Sequence, residues 1–415
     1  MRIFTGERKS MEKRWIVREK GDESLVNRLS GELRIDGNLS NLLVQRGIGS
    51  YEEARAYFRP SIDDLHDPFL MKDMDKAIDR IAMAVERKEN ILVYGDYDVD
   101  GTTAVALIYT FLQRFYSNID FYIPDRDAEG YGISYRGIDY AAEKGCTLMI
   151  ILDCGIKAIE KTRYALERNI DFIICDHHRP GDEIPPACAV LDPKRSDCEY
   201  PFKELSGCGV GFKLVQAYAA RHGIPFTELF SFLDLVVVSI ASDIVPITGE
   251  NRVLAHFGLQ LLNKNPRPGI EAILLVGNIR RSRNACQDYI FDRELTISDL
   301  VFMVGPRINA AGRIESARNS VRLLIENRYE EALEIAHKIN SLNDERKNLD
   351  LNATSEALRM IGENEEMREA KYTVVYNPDW HKGVIGIVAS RLIESYYRPT
   401  IVLTYSNGLI TGSAR

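Results

Sequence analysis

Between residues 86 and 250, short apolar runs alternate with longer stretches of helical periodicity. The runs fall at 91–94, 121–123, 148–152, 172–175 and 189–191, each too short for a helix and most rich in β-branched or aromatic residues. Strands alternating with helices predict an α/β fold in which a parallel sheet is covered on both faces. Ahead of it, residues 40–90 read as helical, with 74–86 amphipathic. Helical segments extend this domain to about residue 325. From 330 to 360 the chain is a run of helix formers without Pro or Gly, which predicts a connecting helix. A second α/β segment starts near Lys371, with a strand at 372–376, a helix at 384–396 and a strand at 400–404. Asn407-Gly408 then marks a tight turn before one last short strand ending at Arg415. So small a terminal domain leads us to expect a fragment of a longer fold. Residues 1–35 carry no placeable pattern.

Composition changes little in this picture. Hydrophobic residues make up 45% and charged residues 27%, which is ordinary for a globular chain. No apolar run approaches the roughly 18 residues of a membrane span, and the charged N-terminus has no signal-peptide core. The expectation is a cytoplasmic protein without a membrane partner. The seven cysteines (146, 154, 175, 188, 198, 208 and 286) include no C-x-x-C pair, so we expect reduced, buried thiols rather than a zinc ribbon. The net charge of -8 argues against a general nucleic-acid coat but leaves room for a local basic groove.

The candidate chemistry lies at the ends of the predicted strands. Tyr94-Gly-Asp96-Tyr-Asp98-Val-Asp100-Gly-Thr-Thr103 places three carboxylates within five residues between a strand and a helix. Carboxylates so close repel one another, and a hard divalent cation relieves that; the alternative is a solvated acidic turn. A calcium loop of the EF-hand type is excluded, because its twelfth position is Leu107 and no helix precedes it. The run 148–152 leads into Asp153-Cys-Gly155, and 172–175 leads into Asp176-His177-His178. Open parallel sheets bind ligands beyond the carboxyl ends of their strands, so these groups are expected at one edge. Asp176 is expected to orient the histidine pair. Ser239-Ile-Ala-Ser-Asp243-Ile-Val-Pro246 sets an acid in an apolar stretch before a helix-ending Pro. A metal would remove the cost of burying it, and a capping role is the alternative.

Two Gly-containing segments are less specific. Gly207-Cys-Gly209-Val-Gly211-Phe-Lys213 lacks P-loop spacing and reads mainly as a tightly packed helix start. Gly305-Pro-Arg307-Ile-Asn309-Ala-Ala-Gly312-Arg313 reads as a turn offering guanidinium groups suited to phosphate. Arg280, Arg281 and Arg283 read as a solvated loop.

Together these segments resemble the DHH phosphoesterase superfamily, and within it the RecJ-type single-stranded-DNA exonucleases. The Tyr94–Thr103 stretch resembles the first motif, Asp153-Cys-Gly the second, Asp176-His177-His178 the third and Ser242-Asp243-Ile-Val-Pro the fourth. The Gly305–Arg313 segment and Asn377 to Arg391, with Trp380-His381-Lys-Gly383, resemble further segments of that family. The resemblance implies an N-terminal helical extension (1–85), a DHH catalytic domain (86–325), a connecting helix (326–368) and a partial DHH-associated C-terminal domain (369–415). It also implies two divalent ions, Mn²⁺ or Mg²⁺. Asp100, Asp153, His177 and Asp243 would hold one, and Asp98 with the bridging Asp153 the other. Asp96 would assist the second ion, and His178 would lie near the scissile phosphate. Arg307, Asn309, Arg313, Ser413 and Arg415 would contact DNA. Relatives acting on small substrates carry a His where this chain has Tyr94, which favours the RecJ branch. A Gly-Gly-His-like segment and an OB-fold, expected further along, do not occur before Arg415.

The implied activity is metal-dependent hydrolysis of single-stranded DNA from the 5′ end, releasing 5′-mononucleotides in DNA repair and recombination. The implied partners are single-stranded DNA, a single-strand-binding protein and a helicase, around a monomer. Two rivals are a phosphodiesterase of short oligonucleotides or cyclic dinucleotides, and a non-catalytic scaffold. The scaffold reading predicts eroded acids, whereas the acids are present.

Overall fold

The computed structural model describes residues 14–282 and 288–415. Arg283 and Cys286 lie outside the described residues. The chain forms two compact units, one of residues 62–349 and one that joins the residues up to 61 with 350–415.

In the larger unit, helix α1 (Met74–Glu86) precedes a five-stranded sheet. Its strands are β1 (Asn90–Gly95), β2 (Ile119–Tyr122), β3 (Cys146–Leu152), β4 (Asp171–Cys175) and β5 (Ala189–Leu191). Every pairing is parallel and the order is β2-β1-β3-β4-β5. Helices α2 (Val99–Gln113) and α3 (Tyr135–Glu143) follow β1 and β2, and α4 (Ile159–Leu166) follows β3. Alternation along the strands sends their side chains into two separate cores. Ile91, Val93, Ile150 and Ile173 join one core, with residues of α1 and α2. Leu92, Tyr94, Met149, Ile151 and Ile174 join the other, with Ile138, Ala141 and Ala165 of α3 and α4. Burying each Ile or Leu contributes about 1.5–3 kcal/mol, so the register is held from both faces. The strand order reverses between β1 and β3, and this is where such sheets open a crevice.

The rest of the unit is helical, with α5 (Gly207–Arg221), α6 (Leu233–Ser242), α7 (Gly249–Lys264) and α8 (Gly305–Ile314). The 305–313 segment, expected to be a turn, is helix α8. Pro306 lies in its first turn, where a missing N–H costs nothing. Gly312 lets α8 close on the first motif, since a Cβ there would lie 2.8 Å from the Tyr97 carbonyl oxygen. Helix α6 stops at Ser242, before Pro246; the break comes from Ile244, whose φ is 59°. No helix of the described residues is long and apolar enough to cross a membrane.

Helix α9 (Tyr329–Glu363) runs for 35 residues and carries the chain from one unit into the other. In the smaller unit, β6 (Thr373–Tyr376) pairs parallel with β7 (Thr400–Ser406), and β7 pairs antiparallel with β8 (Leu409–Ala414). Asn407 and Gly408 turn between β7 and β8 with φ of 53° and 81°. Helix α10 (Ile385–Ser395) buries Val388, Ala389 and Leu392. Residues 14–20 have no regular structure, and three short helices follow over Glu23–Leu33, Gly37–Val44 and Tyr51–Phe58.

Candidate metal centre

The first motif is the link from β1 to α2. Asp98 caps α2 by accepting from the Gly101 N–H at 3.1 Å. Gly101 is required by close approach, because a Cβ there would come within 2.6 Å of the Asp96 backbone. Asp100, in the first turn of α2, reaches the start of α5 and accepts from the N–H groups of Gly207 at 2.6 Å and Cys208 at 2.7 Å. The Ser239 hydroxyl donates to it as well, at 2.7 Å. The anion held by this helix N-terminus is therefore an internal carboxylate. Lys213, the residue a phosphate-loop reading would use, is fully buried and spent on Glu250 at 2.7 Å. The helix-start reading of Gly207–Lys213 is the one the structure bears out.

Asp153 follows β3 in a left-handed conformation (φ 59°), uncommon for a residue with a side chain and often found at functional sites. A Cβ on Gly207 would lie 2.6 Å from the Asp153 side chain, so the start of α5 must be bare here. His177 follows β4. Its Nε2 stands 3.2 Å from Asp153 Oδ1, 3.6 Å from Asp100 Oδ2 and 3.6 Å from Asp243 Oδ2. Four separate elements thus bring three carboxylate oxygens around one nitrogen, and the donors fall into two sets that could each hold an ion, Asp100 with His177 and Asp243, and Asp153 with His177 and His178. Both ring nitrogens of His177 and Asp153 Oδ1 are buried without a hydrogen-bond partner.

Each set fits a divalent cation. Ligands about 2.1 Å from one ion stand about 3.0 Å apart at right angles and about 3.4 Å apart at tetrahedral angles. The electrostatics point the same way. Burial, then Asp100 and Asp98, pushes the Asp153 carboxyl well above its usual range. Asp98 is raised by burial and Asp100, and Asp243 is pushed to about 7 by burial, Asp100 and Asp98. Burial and Asp98 raise Asp96 to about 7. Burial lowers His177, which keeps the ring neutral and able to ligate. A cation reverses the upward shifts of the carboxyls and, like burial, favours the neutral imidazole.

Asp96 stands apart from the His177 cluster. Its Oδ1 lies 3.4 Å from the Gly132 N–H, and its Oδ2 is buried without a partner. Asp176 was expected to accept from a ring or backbone N–H and orient the histidine pair; it takes the backbone N–H of both histidines, but the ring of His178 only. It accepts from the N–H groups of Ile156, His177 and His178, and from the His178 ring at 2.7 Å. Burial alone would raise its carboxyl; the His178 and backbone hydrogen bonds outweigh that and leave it lowered. The His177 ring has no such partner. The His178 side chain is 45% exposed at the rim, and its hydrogen bond to Asp176 raises its pKa. Tyr94 points into the opposite core, where its hydroxyl donates to the Gly132 carbonyl at 2.8 Å and accepts from the Ser134 N–H at 3.1 Å. It acts on the site only through the loop that carries Gly132.

The expected DNA-contacting residues divide. Arg307 is committed to the Asn340 side chain at 2.9 Å and the Met303 carbonyl at 2.8 Å, tying α8 to α9. Asn309 is half-buried on α8. Arg313 is brought toward the first motif. Burial, then Arg126 and Arg346, lowers it to about 10, while Tyr97 and Asp98 pull the other way. The Arg126 guanidinium lies 5.1 Å over the Tyr97 ring. Arg126 and Arg346 were not anticipated from sequence, nor was Tyr131, whose hydroxyl lies 3.2 Å from His178 Nε2. The available signal was the link after β2, which shares the carboxyl edge of the sheet. Ser413 and Arg415 belong to the smaller unit and flank Gly386 on α10, where a Cβ would meet Ser413 Oγ at 3.3 Å and Arg415 Nη2 at 3.4 Å.

Of the six described cysteines, all free, five are buried and Cys188 is half-buried. Arg280 and Arg281 are exposed, as expected of a solvated loop, and Arg281 also forms an ion pair with Glu271.

Residues 90–240 match the DHH family, N-terminal domain. Over 405 residues the chain is 40% identical to the single-stranded-DNA-specific exonuclease RecJ of Bacillus subtilis (strain 168), covering 97% of this chain and 49% of that protein. It is 34% identical over 391 residues to the protein of the same description from Escherichia coli (strain K12), covering 91% of this chain and 65% of that one. The fold matches a crystal structure of exonuclease RecJ bound to manganese with a TM-score of 0.71 at 29% identity, over 83% of this chain and 82% of that one. It matches RecJ from Thermus thermophilus in complex with Mn²⁺ with a TM-score of 0.78 at 26% identity, over 94% of this chain and 54% of that one. The chain spans about half the length of the Bacillus relative.

Proposed function

We propose that this chain, with its DHH-family domain over residues 90–240, is a metal-dependent phosphodiesterase that removes 5′-mononucleotides from the 5′ end of single-stranded DNA in repair and recombination. The observation that carries the reading is His177 Nε2, buried among carboxylate oxygens of Asp100, Asp153 and Asp243 with no hydrogen bond of its own. The relatives described as single-stranded-DNA-specific exonucleases supply the substrate class; the 5′ polarity follows from the resemblance of the four motifs to the RecJ type.

In this reading Asp100, Asp153, His177 and Asp243 would hold one divalent ion, Mn²⁺ or Mg²⁺. Asp98 and Asp153 would hold the second, with Asp96 assisting. When bound, such ions lower the pKa of the attacking water and neutralise charge on the leaving oxygen. The protein's own task is positioning. The N-terminus of α5 and Ser239 fix Asp100, so its carboxylate does not swing when substrate enters. Asp176 fixes the His178 ring, which faces the scissile phosphate from the rim. Arg313, with Arg126 and Arg346 nearby, places guanidinium charge beside Asp98, where a DNA phosphate is received. Asn309 and Arg307 on α8 add DNA contacts within the larger unit, and Ser413 and Arg415 are the contacts that the RecJ resemblance gives the smaller unit. A single-strand-binding protein and a helicase, which expose the strand, are the partners of a monomer in the cytoplasm.

The test is hydrolysis of oligonucleotides labelled at either end, with Mn²⁺. Early loss of the 5′ label as a mononucleotide supports the reading. Early loss of the 3′ label reverses the polarity, and efficient cleavage of two- to five-nucleotide substrates alone favours the short-substrate reading.

A further inference from the structure

The loop between β2 and α3 brings one more side chain to the metal centre. Asp176 is anchored by three backbone N–H groups and takes His178 Nδ1 at 2.7 Å. That leaves the ring one further nitrogen, and Tyr131 Oη lies 3.2 Å from it. We propose that Tyr131 is a further phosphate-contacting residue of this site, its hydroxyl set in place by His178 and, through that ring, by Asp176. The proposal rests on the reading of the centre as a phosphodiesterase site and adds a hydrogen-bond donor to it.

Three observations carry the assignment. First, Tyr131 is 57% exposed, so core packing does not explain it. Second, the backbone around it is built to hold it there. Gly130 and Gly132 flank it with φ of 82° and 78°, and neither has an atom near its missing Cβ, so glycine is needed for conformation rather than space. The Gly132 carbonyl accepts from the Tyr94 hydroxyl, and Glu129 accepts from the Tyr122 and Ser134 hydroxyls and the Asp125 N–H. Third, burial and then Asp153 and Asp96 push the Tyr131 phenol up, so the hydroxyl beside the His178 ring is neutral. A neutral hydroxyl can stand beside carboxylates, and its one proton turns from His178 Nε2 to a phosphoryl oxygen when nucleotide enters. The Tyr131 ring also meets Tyr97 edge-on at 6.3 Å, and Tyr97 lies beneath Arg126. Tyr131 therefore joins the imidazole side of the site to the guanidinium side.

The test uses the whole chain with Mn²⁺ and two measurements. These are calorimetric affinity for a deoxynucleoside 5′-monophosphate and steady-state hydrolysis of a labelled single strand. Tyr131→Phe is expected to weaken nucleotide binding about five-fold, as for one lost hydrogen bond, and to lower kcat/KM about as much. Its melting temperature and Mn²⁺ affinity should not move. His178→Ala should lose at least as much, and the double variant no more than His178→Ala alone, because the two side chains act as a unit. Unchanged nucleotide affinity in Tyr131→Phe, or losses that add in the double variant, would overturn the assignment. If nucleotide binding follows the expected pattern while the unmodified chain hydrolyses no strand, the functional reading fails and the Tyr131 assignment stands.

Discussion

Among the buried charged groups of the larger unit, two are treated differently by the fold. In the first, the Lys213 ammonium meets Glu250 at 2.7 Å, the His66 carbonyl at 2.9 Å and Gln216 at 2.8 Å. Glu250 in turn accepts from the Tyr200 hydroxyl at 2.6 Å and the His66 N–H at 3.0 Å. All three ammonium donors are used and the charges cancel. In the second, Asp100, Asp153 and Asp243 crowd one imidazole, Asp98 acts on Asp153 and Asp243, and buried atoms of Asp153 and His177 have no partner. Carboxylates that raise one another's pKa are a cost to the folded chain. A satisfied buried network reports on stability, whereas an unsatisfied one reports on something that binds.

That contrast can be broken at either end. The largest effect is expected for Asp153→Ala. It should lower Mn²⁺-dependent hydrolysis of single-stranded DNA on the order of a thousand-fold, the scale of several kcal/mol from metal-assisted catalysis. Its metal-free melting temperature should not fall, since one repelling carboxylate is gone. An active variant would reject the bridging role. Lys213→Met should do the opposite, costing about 3–5 kcal/mol in urea unfolding by stranding Glu250. Lys213→Met with Glu250→Leu should recover most of that. A recovery no better than the single variant would mean that packing, not charge, holds this network. Mn²⁺ at about a hundred times its dissociation constant should stabilise the unmodified chain by about 2.7 kcal/mol. The gain should vanish in Asp153→Ala and persist in Lys213→Met, as thermal shifts would show.

Two smaller effects sharpen the comparison. Arg313→Ala should weaken single-strand binding and reduce the slope of log affinity against log salt by about 0.7, the share of one phosphate contact. An unchanged slope would remove Arg313 from the interface. The smallest effect belongs to a third kind of pair, between a half-exposed arginine and a buried carboxylate. Arg293, with Thr296, holds Asp299 down to about 2. A carboxyl lowered on folding stabilises the native state above its ordinary value near 4. That contribution is lost as the pH falls from about 4 toward 2. With Arg293 half exposed, Asp299→Asn should cost about 1 kcal/mol at pH 7 and nothing below pH 2. A cost that persists at pH 2 would point to the Thr296 cap instead.

Much of this architecture was legible in the residues. The apolar runs marked all five strands of the larger sheet. The acids and imidazoles following 91–94, 148–152 and 172–175 named three of the site's contributing elements, and Asp243 named the fourth. These signals are local: strand length, helix periodicity and the rule that ligands gather beyond strand ends depend on neighbours in sequence. The errors came where an outcome depends on packing between distant segments. A Gly-rich, Arg-bearing stretch reads as a turn until its packing against Tyr97 and Ser242 is known, and there it is α8. By its place in the sequence Asp176 could serve either histidine, yet the backbone around it presents only the His178 ring.

The sequence by itself determined which groups could meet a cation, because three carboxylates in five residues repel one another in any fold. Only the tertiary structure decided which donor each group received. It placed Asp100 on the first N–H groups of α5, 107 residues away, and left the His177 ring with none. It also drew Arg126 and Tyr131 to the same edge from a link with no metal-ligand spacing of its own. The physical reason is that hydrogen bonds and desolvation are settled by the atoms that surround a group once the cores close, and those atoms come mostly from elsewhere in the chain.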